Sequence, residues 1–368
     1  MGASAPDLEA IAGRFDLPAA VTAVTPLGNG NVNDTYRVDT ASGERFVLQR
    51  LNTQVFPQPE LVMGNLQLLS DHAERRRNGL GAGSGEGRWE LPRVIPNRHS
   101  GNPWVTANDQ FWRLISFVDG AVTVDAIANP EQAHQVGRGL GLFHSLISDL
   151  PTDQLADTLP GFHITPGYLD AYDQTLKRVE IQLCEAGQWC TEFVEQRRQL
   201  APVLEAAKAD GRLRLRPIHG DPKVNNVMLC ASTGVAVSLV DLDTVKPGLV
   251  HYDIGDCLRS ACNPLGEEAE PTEAIHFDLD LCRAVLEGYL GAARDSLSDT
   301  DLDHIFDAAR VISFELGLRF FSDHLAGDVY FRTQRPGHNL DRARVQFKLT
   351  ESIEAQEQDI RAIVEGLR

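Results

Sequence analysis

The chain has 368 residues, which at roughly 150 residues per domain predicts two or three domains. Its 42% hydrophobic and 23% charged residues are typical of a globular protein and exclude disordered, collagen-like and coiled-coil chains. The formal net charge of −18 argues against nucleic-acid and membrane partners, which need basic patches, so any phosphate binding requires cations concentrated at one site.

The first third of the chain alternates short β-type runs with turns. Residues 25–40 and 44–52 predict strands around a Gly- and Asn-rich turn at 28–33. A helix is predicted from Pro59, because apolar residues then recur at helical spacing. The Gly- and Ser-rich segment 79–87 predicts a flexible connection, and it is followed by two further β-type runs at 89–96 and 110–120.

The pattern changes after residue 120 and becomes mainly helical. Residues 131–150 predict a helix in which Gly137 and Gly141, one turn apart, allow close packing. Two helices are predicted in 168–209, a β-rich island in 213–245, and almost continuous helix in 278–368. We therefore expect an α+β protein with a small β-rich N-terminal lobe, residues 1–118, and a larger helical lobe, residues 119–368.

The six cysteines are too few for a disulfide framework, and none forms a CxxC motif. The N-terminal residues lack the basic and apolar regions of a secretory signal, and no apolar run approaches the length of about 18 residues that spans a bilayer. These features predict a cytoplasmic protein with free thiols.

The most informative segment contains His219, Asp221 and Asn226, followed by a strand, a turn and Asp241. A strand ending at Ile218 would deliver the histidine and the first carboxylate on a loop. The strand that returns after the turn would then place Asp241 close to Asn226. Phosphoryl transfer needs a carboxylate that accepts the hydroxyl proton and oxygen ligands that hold Mg²⁺ on nucleotide phosphates. The segment therefore predicts a phosphotransferase site.

This H-x-D-x-x-x-x-N pattern resembles the catalytic loop of protein kinases and, more closely, that of the aminoglycoside phosphotransferase and choline kinase superfamily. The resemblance implies a bilobal protein-kinase-like fold, with ATP and Mg²⁺ as cofactors. It also implies that Asp221 is the catalytic base, that Asn226 and Asp241 are metal ligands, and that His219 braces the loop.

The same resemblance implies a nucleotide site in the N-terminal lobe. The turn with Gly28, Gly30 and Asn33 resembles a hairpin that covers the phosphates. Arg50 is expected in place of the lysine that such kinases carry on the next strand, although strand alternation leaves Gln49 open. Residues 111–120 resemble the last strand and the hinge, whose backbone would bind adenine near Ile115 and Phe117. In the post-metal segment, Asp253 and Asp256 are expected to be braces.

Longer stretches narrow the resemblance to bacterial N-acetylhexosamine 1-kinases, which phosphorylate the anomeric hydroxyl of N-acetylglucosamine or N-acetylgalactosamine with ATP. These stretches are FVLQRLNTQVFPQPELVMGN, DPKVNNVML with VDLDTVKPG, and ELGLRFFSDHLAGDVYF with RPGHNLDRARVQFKL; the similarity runs from about Leu27 to Leu349. The implied partners are ATP and a small-molecule sugar acceptor.

Helical spacing places Glu315, Arg319 and Asp323 on one stripe among apolar residues, as expected for a polar acceptor. Arg319 and Asp323, with Asp328 and Tyr330 beyond the next turn, are the predicted sugar contacts. Other hydroxyl acceptors remain open: an aminoglycoside, another sugar, homoserine or choline. A nucleotide-binding pseudokinase is a further alternative, because the strand lysine is missing.

Overall fold

The computed structural model describes residues 6–28, 32–79, 87–178, 183–269 and 274–368. The N-terminal part is built on one antiparallel sheet with strand order β1-β2-β3-β6-β4, in which β5 also pairs with β6. Its strands are β1 (Val21–Pro26), β2 (Asp34–Thr40), β3 (Arg45–Arg50), β4 (Val94–Ile95), β5 (Val105–Ala107) and β6 (Gln110–Ser116).

The two faces of this sheet have different partners, because successive side chains of a strand point to opposite sides. On one face, Leu48, Trp112 and Leu114 form a small core with Phe15, which follows helix α1 (Leu8–Ala12). The opposite face turns towards the rest of the chain. The sheet therefore presents alternate residues of β3 and β6 to the C-terminal part.

The C-terminal part is mainly helical and shares one large apolar core with the long N-terminal helix α2 (Pro59–Gly79). Its helices are α3 (Pro130–Ile147), α4 (Thr165–Leu176), α5 (Glu185–Arg197), α6 (Val203–Ala209), α7 (Val250–Ala261), α8 (Leu279–Ala293), α9 (Asp299–Asp303), α10 (Ile305–Leu325), α11 (His338–Ala355) and α12 (Glu357–Gly366). Over the described ranges, none of the helices has the length and apolar character needed to cross a membrane.

Two small sheets interrupt these helices. One has the order β10-β9-β7, with β7 (Ala121–Val122), β9 (Val227–Cys230) and β10 (Ala236–Leu239). The other pairs β8 (Arg216–Ile218) with β11 (Lys246–Gly248). Both flank the loop that begins at His219, so this loop is supported by sheet on either side.

The expected α+β layout is confirmed, with local differences. The described residues of 165–209 contain three helices, and Pro202 separates α5 from α6. The run 89–96 contributes only the two paired residues of β4, since Pro92 and Pro96 have no N–H for a sheet ladder. Residues 80–86 of the predicted flexible connection lie outside the described residues. The chain leaves the first sheet at Ser116 and enters another at Ala121, and we propose the lobe boundary between 118 and 119.

Helices α3 and α8 pack closely because glycines line their contact. A Cβ atom at Gly137 would collide with the backbone carbonyl of Val285, and one at Gly288 with that of His134. At Gly141, a Cβ would meet the carbonyl oxygen of Tyr289. The predicted close approach of this helix is therefore observed, and any larger side chain must push the two backbones apart.

We expect Gly137→Ala to lower the free energy of unfolding by about 1–3 kcal/mol, because overpacking forces backbone shifts. Urea denaturation measures this change. The control is Gly64→Ala in α2, where a Cβ would meet nothing within 4 Å. It should stabilise the protein by about 0.4–1 kcal/mol through the unfolded chain. A neutral Gly137→Ala variant would contradict the close helix packing.

Candidate active site

The loop from His219 to Asn226 is anchored by a buried carboxylate on α7. Asp253 accepts the backbone N–H groups of His219, at 2.7 Å, and Gly220, at 2.8 Å. Its Oδ2 also lies 2.8 Å from Nε2 of His144. Burial alone would raise the pKa of Asp253, but the hydrogen bond and charge of His144 outweigh burial and lower it. Asp253 therefore acts as the expected brace.

Gly220 has to be glycine for two reasons. Its φ of 90° lies in the left-handed region, and a Cβ there would come within 2.7 Å of the Thr244 carbonyl oxygen. Thr244 in turn donates its hydroxyl to the His219 carbonyl. The residue between His219 and Asp221 is thus pressed against the segment that follows Asp241, which brings the two predicted carboxylates to the same place.

Asp221 lies at the surface of the cleft with one carboxylate oxygen already bound. Its Oδ2 is 3.0 Å from Nζ of Lys223 and 3.2 Å from Nδ2 of Asn226. Its Oδ1 makes no hydrogen bond to a described residue. The negative charge of Asp221 raises the pKa of Lys223, so this lysine stays protonated. The free oxygen leaves room for a hydroxyl group.

Asn226 and Asp241 lie side by side. The N–H of Val240 donates to the carbonyl of Asn226 at 2.9 Å, where β9 pairs with β10. Asp241 follows in a left-handed conformation with φ of 62°. Its side chain is exposed on the cleft. The protein atoms around it, together with the charges of Asp243 and Asp221, raise the pKa of Asp241 to about 7.

These two residues could hold a magnesium ion whose remaining ligands are water and the phosphate oxygens of a nucleotide. The Asp241 carboxylate and the Oδ1 atom of Asn226, which has no hydrogen-bond partner in the described ranges, are hard oxygen donors. Within those ranges no cluster of three His, Cys, Asp or Glu residues could hold a metal by itself. Mg²⁺ commonly takes one or two protein ligands and completes its shell with water and substrate phosphates.

The predicted phosphate hairpin is only partly described, since Gly30 lies outside the described residues. Gly28 has a φ of 68°, as a tight turn requires. Asn33 is 8% exposed; it donates to Oδ2 of Asp243 at 2.7 Å and accepts the N–H of Asn52 at 3.0 Å. Asn33 therefore ties the hairpin to the segment after Asp241, and both ends of its amide are occupied.

The structure does not bring Arg50 to the cleft. Arg50 forms a surface ion pair with Asp34 on the sheet face opposite to Gln49, because adjacent strand residues point to opposite sides. Gln49 lies directly across from Arg113 of β6 and accepts its Nε–H at 2.9 Å. Arg113 then forms an ion pair with Asp243. The cation that contacts Gln49 thus comes from β6.

The predicted hinge lies at the end of β6. Ile115 pairs with Val47 and occupies the same sheet face as Arg113. Phe117 is half-buried, and the guanidinium of Arg45 stacks over its ring at 4.7 Å. The strand therefore runs from Arg113 to the connection between lobes, and an adenine site at Ile115 and Phe117 stays a proposal.

On the other side of the loop, a buried histidine and glutamate support Gly220. His163, with a left-handed φ of 64°, has Nε2 at 2.7 Å from the Gly220 carbonyl and Nδ1 at 2.9 Å from Glu315. Thr165 donates to the second oxygen of Glu315 at 2.6 Å. Burial would lower the pKa of His163, but the Glu315 carboxylate and the Gly220 carbonyl raise it. Burial would raise the pKa of Glu315, but His163, Arg319 and Thr165 lower it.

Arg319 lies one helical turn after Glu315 and is surrounded by aromatic rings. Its guanidinium carbon is 5.2 Å from the ring centre of Phe162, 5.0 Å from that of Tyr168 and 5.4 Å from that of Phe331. It has no hydrogen bond or ion pair with any described residue. Its donors therefore remain available in a setting of aromatic faces.

The other predicted sugar contacts lie in or beside the loop between α10 and α11. Asp323 is 6% exposed and accepts the N–H groups of residues 329, 330 and 331, as well as Nδ2 of Asn339. Its carboxylate is thus occupied, and we propose a loop-positioning role instead of sugar contact. Asp328 also accepts Nδ2 of Asn339, whereas Tyr330 is 59% exposed.

Four residues at this site escaped the sequence analysis: Arg113, His163, Lys223 and Asp243. Lys223 had a signal, since it lies within the H-x-D-x-x-x-x-N pattern itself. Asp243 had a weaker one, two residues after Asp241. Nothing in the local pattern of Arg113 or His163 distinguishes them, because each reaches the site through pairing partners distant in sequence.

Together, an antiparallel sheet, a helical lobe and a loop carrying Asp221 beside Asn226 and Asp241 define a kinase-like phosphotransferase with the expected bilobal fold. The sequence model of the Phosphotransferase enzyme family (APH) matches residues 23–292, and the protein belongs to this family.

Solved structures resemble the whole chain. An aminoglycoside phosphotransferase from Alicyclobacillus acidocaldarius subsp. acidocaldarius DSM 446 shares 17% identity at a TM-score of 0.65, covering 100% of this chain and 98% of that one. A microcompartment-associated aminopropanol kinase shares 15% at 0.63, with 96% and 98% covered. A choline kinase from Cryptosporidium parvum Iowa II shares 14% at 0.56, with 94% and 93% covered. At these identities the likeness concerns the fold.

The His163–Glu315 pair predicts a pH dependence of stability. Since the pKa of His163 is raised above 6.5, its contribution is complete below pH 6.5 and is lost as the pH rises through the folded-state pKa. Glu315 contributes above pH 4.5 and loses this contribution as the pH falls through its lowered pKa. We expect His163→Asn, which tolerates a left-handed φ, to remove the alkaline loss.

The measurement is the free energy of unfolding in urea across pH 5 to about 9, taken as the difference between wild type and variant. The matched control is His276→Asn, since His276 is exposed. That variant should keep the wild-type slope. A wild-type slope in His163→Asn would show that this pair does not carry the pH dependence.

Proposed function

We propose that this phosphotransferase transfers the γ-phosphoryl group of ATP to the anomeric hydroxyl of an N-acetylhexosamine, N-acetylglucosamine or N-acetylgalactosamine. The observation that carries the proposal is the setting of Arg319. Its hydrogen-bond donors have no partner among the described residues, and three aromatic rings surround its guanidinium. It lies one helical turn from Glu315, which supports the catalytic loop through His163. We also propose a cytoplasmic location, in keeping with six free thiols.

Asp221 is the proposed general base. Its free Oδ1 accepts the proton of the acceptor hydroxyl, while Lys223 and Asn226 hold Oδ2 and so orient the carboxylate. Asn226 and Asp241 would hold Mg²⁺, which when bound neutralises charge on the nucleotide phosphates. Lys223 adds a fixed positive charge next to the point of transfer.

The charge of Arg319 bears on the class of acceptor. The relatives named for aminopropanol and choline act on small amine or ammonium compounds. A cationic acceptor here would face an unpaired guanidinium, since Glu315 is already bound by His163 and Thr165. Like charges repel, and a carboxylate would be needed to offset this. A neutral acceptor with carbonyl and hydroxyl oxygens suits the free donors of Arg319 instead.

A neutral N-acetylated sugar carries no positive charge and offers oxygen atoms that accept hydrogen bonds. Its acetamido carbonyl and hydroxyl groups accept hydrogen bonds from a guanidinium, and its apolar ring face can pack on Phe162, Tyr168 or Phe331. These same groups would also suit other neutral sugars, so acceptor chemistry must be tested directly.

The deciding experiment is phosphate transfer from ATP to a panel of free sugars, amines and aminoglycosides, with products assigned by phosphorus NMR. We expect a sugar 1-phosphate from the N-acetylhexosamines and no product from the amines. Methyl glycosides, which are blocked at the anomeric oxygen, should not react. Equal phosphorylation of methyl glycosides and free sugars would refute the anomeric assignment.

The base assignment predicts that Asp221→Asn lowers kcat by about 10²-fold or more while ATP affinity changes little, because the amide cannot accept the proton. Steady-state kinetics and ATP titration measure both quantities. Asp153→Asn, at an exposed position, is the control and should retain full activity. Turnover near the wild-type rate in Asp221→Asn would remove this residue from the mechanism.

The acceptor assignment predicts that Arg319→Ala lowers kcat/KM for the sugar. The loss of transition-state stabilisation should be about 1–3 kcal/mol, because hydrogen bonds to buried polar groups of the sugar are lost. The KM for ATP should stay near its wild-type value. The control is Arg310→Ala on the same helix, where Arg310 stacks on Phe306. A parallel loss for sugar and ATP would contradict a role in acceptor binding.

A further inference from the structure

The strand that would supply a lysine to the nucleotide presents an uncharged residue to the cleft. Gln49 occupies that position in β3, while Arg50 is paired with Asp34 on the opposite face. The positive charge nearest to Gln49 in the sheet belongs to Arg113, its directly opposite neighbour on β6.

Arg113 is part of a cross-lobe cluster that we call the Asp243 clamp, formed by Asn33, Arg113 and Asp243. Arg113 and Asp243 are each 2% exposed. Arg113 binds Oδ1 of Asp243, and Asn33 donates to Oδ2 at 2.7 Å. Both oxygens of this C-terminal-lobe carboxylate are therefore bound by side chains of the N-terminal lobe.

A buried ion pair is weak evidence for a stabilising role, because the cost of removing both charges from water offsets their attraction. Its geometry is more informative. Asp243 lies two residues after Asp241, which has a left-handed φ of 62° that persists in a non-glycine residue only when its surroundings enforce it.

The turn at Asp241 is held from both sides. Before it, the N–H of Val240 donates to Asn226 and its carbonyl lies 2.9 Å from Nε2 of His219, both within the C-terminal lobe. After it, Asp243 is fixed by the clamp from the N-terminal lobe. Within the C-terminal lobe, the Thr158 hydroxyl donates to the Asp243 carbonyl at 3.0 Å and the Thr244 hydroxyl donates to the His219 carbonyl at 2.8 Å. The clamp adds the contacts to the Asp243 carboxylate.

We propose that Arg113 is a positioning residue that sets the metal-binding carboxylate of Asp241 through Asp243. In this role β6 takes part in the nucleotide site, where β3 places the uncharged Gln49 directly opposite Arg113. The inference rests on the proposed function, because it concerns binding of the magnesium complex of ATP.

The test is the dissociation constant of ATP measured by calorimetry with excess Mg²⁺ and again with EDTA. The ratio of the two values is the magnesium enhancement of ATP affinity. We expect Arg113→Met to reduce this enhancement by about tenfold or more, the usual effect of losing support behind a metal ligand. Affinity in EDTA should change less than about twofold, because Arg113 acts through the metal site.

A double variant separates positioning from simple instability. Arg113→Met leaves the Asp243 carboxylate buried and unpaired, which destabilises the fold. Arg113→Met combined with Asp243→Leu removes that charge, so the melting temperature should recover while the magnesium enhancement stays low. If Arg113→Met does not fold, Asn33→Ala and the double variant make the same comparison. The control is Arg197→Met, which breaks the Arg197–Glu354 pair between α5 and α11 and should leave the enhancement unchanged.

Two results would overturn the proposal. One is a wild-type magnesium enhancement in the double variant or in Arg113→Met. The other is an equal loss of affinity with Mg²⁺ and with EDTA, which would make Arg113 a direct nucleotide contact. A wild-type protein that binds ATP with magnesium enhancement but phosphorylates no sugar would refute the proposed acceptor and leave the role of Arg113 standing. Absence of ATP binding in the wild type would refute both.

Discussion

The two hydrogen bonds from the backbone of His219 and Gly220 to the carboxylate of Asp253 are the constraint on which the site depends. They fix a sharp loop in the interior, where unpaired N–H groups would be costly. Asp253 can do this as a buried anion because His144 offsets its charge. The position of Asp221, the next residue in the chain, depends on these two hydrogen bonds.

Two other groups of contacts lie next to this loop. His163 and Glu315 hold the Gly220 carbonyl from the proposed acceptor side, one helical turn from Arg319. The Asp243 clamp holds the proposed metal side and reaches into the N-terminal sheet. The proposed acceptor contact Arg319, the proposed base Asp221 and the proposed metal ligand Asp241 therefore lie in one connected network. A change in one support should be felt at Asp221.

The charge distribution reconciles an acidic protein with phosphate chemistry. The chain carries a formal net charge of −18, yet Lys223, Arg113 and Arg319 are concentrated around the loop. Two of them form ion pairs and the third does not. Lys223 is paired with Asp221, Arg113 is paired with Asp243, and Arg319 has no paired partner in the described part of the chain. Local placement of a few cations therefore matters more than net charge.

The sequence by itself determined the class of fold, the helix that begins at Pro59, the close packing at Gly137 and the loop that brings Asp221 to Asn226 and Asp241. These features depend on periodicity, glycine and short spacing, which are local properties. Only the tertiary structure decided the contacts of Arg50, Asp323 and Arg113. Strand alternation turned Arg50 away from the cleft, and the loop after α10 folded back onto Asp323. Arg113 meets Asp243 across 130 residues. Contacts of this kind depend on how separate elements pack, which no local pattern encodes.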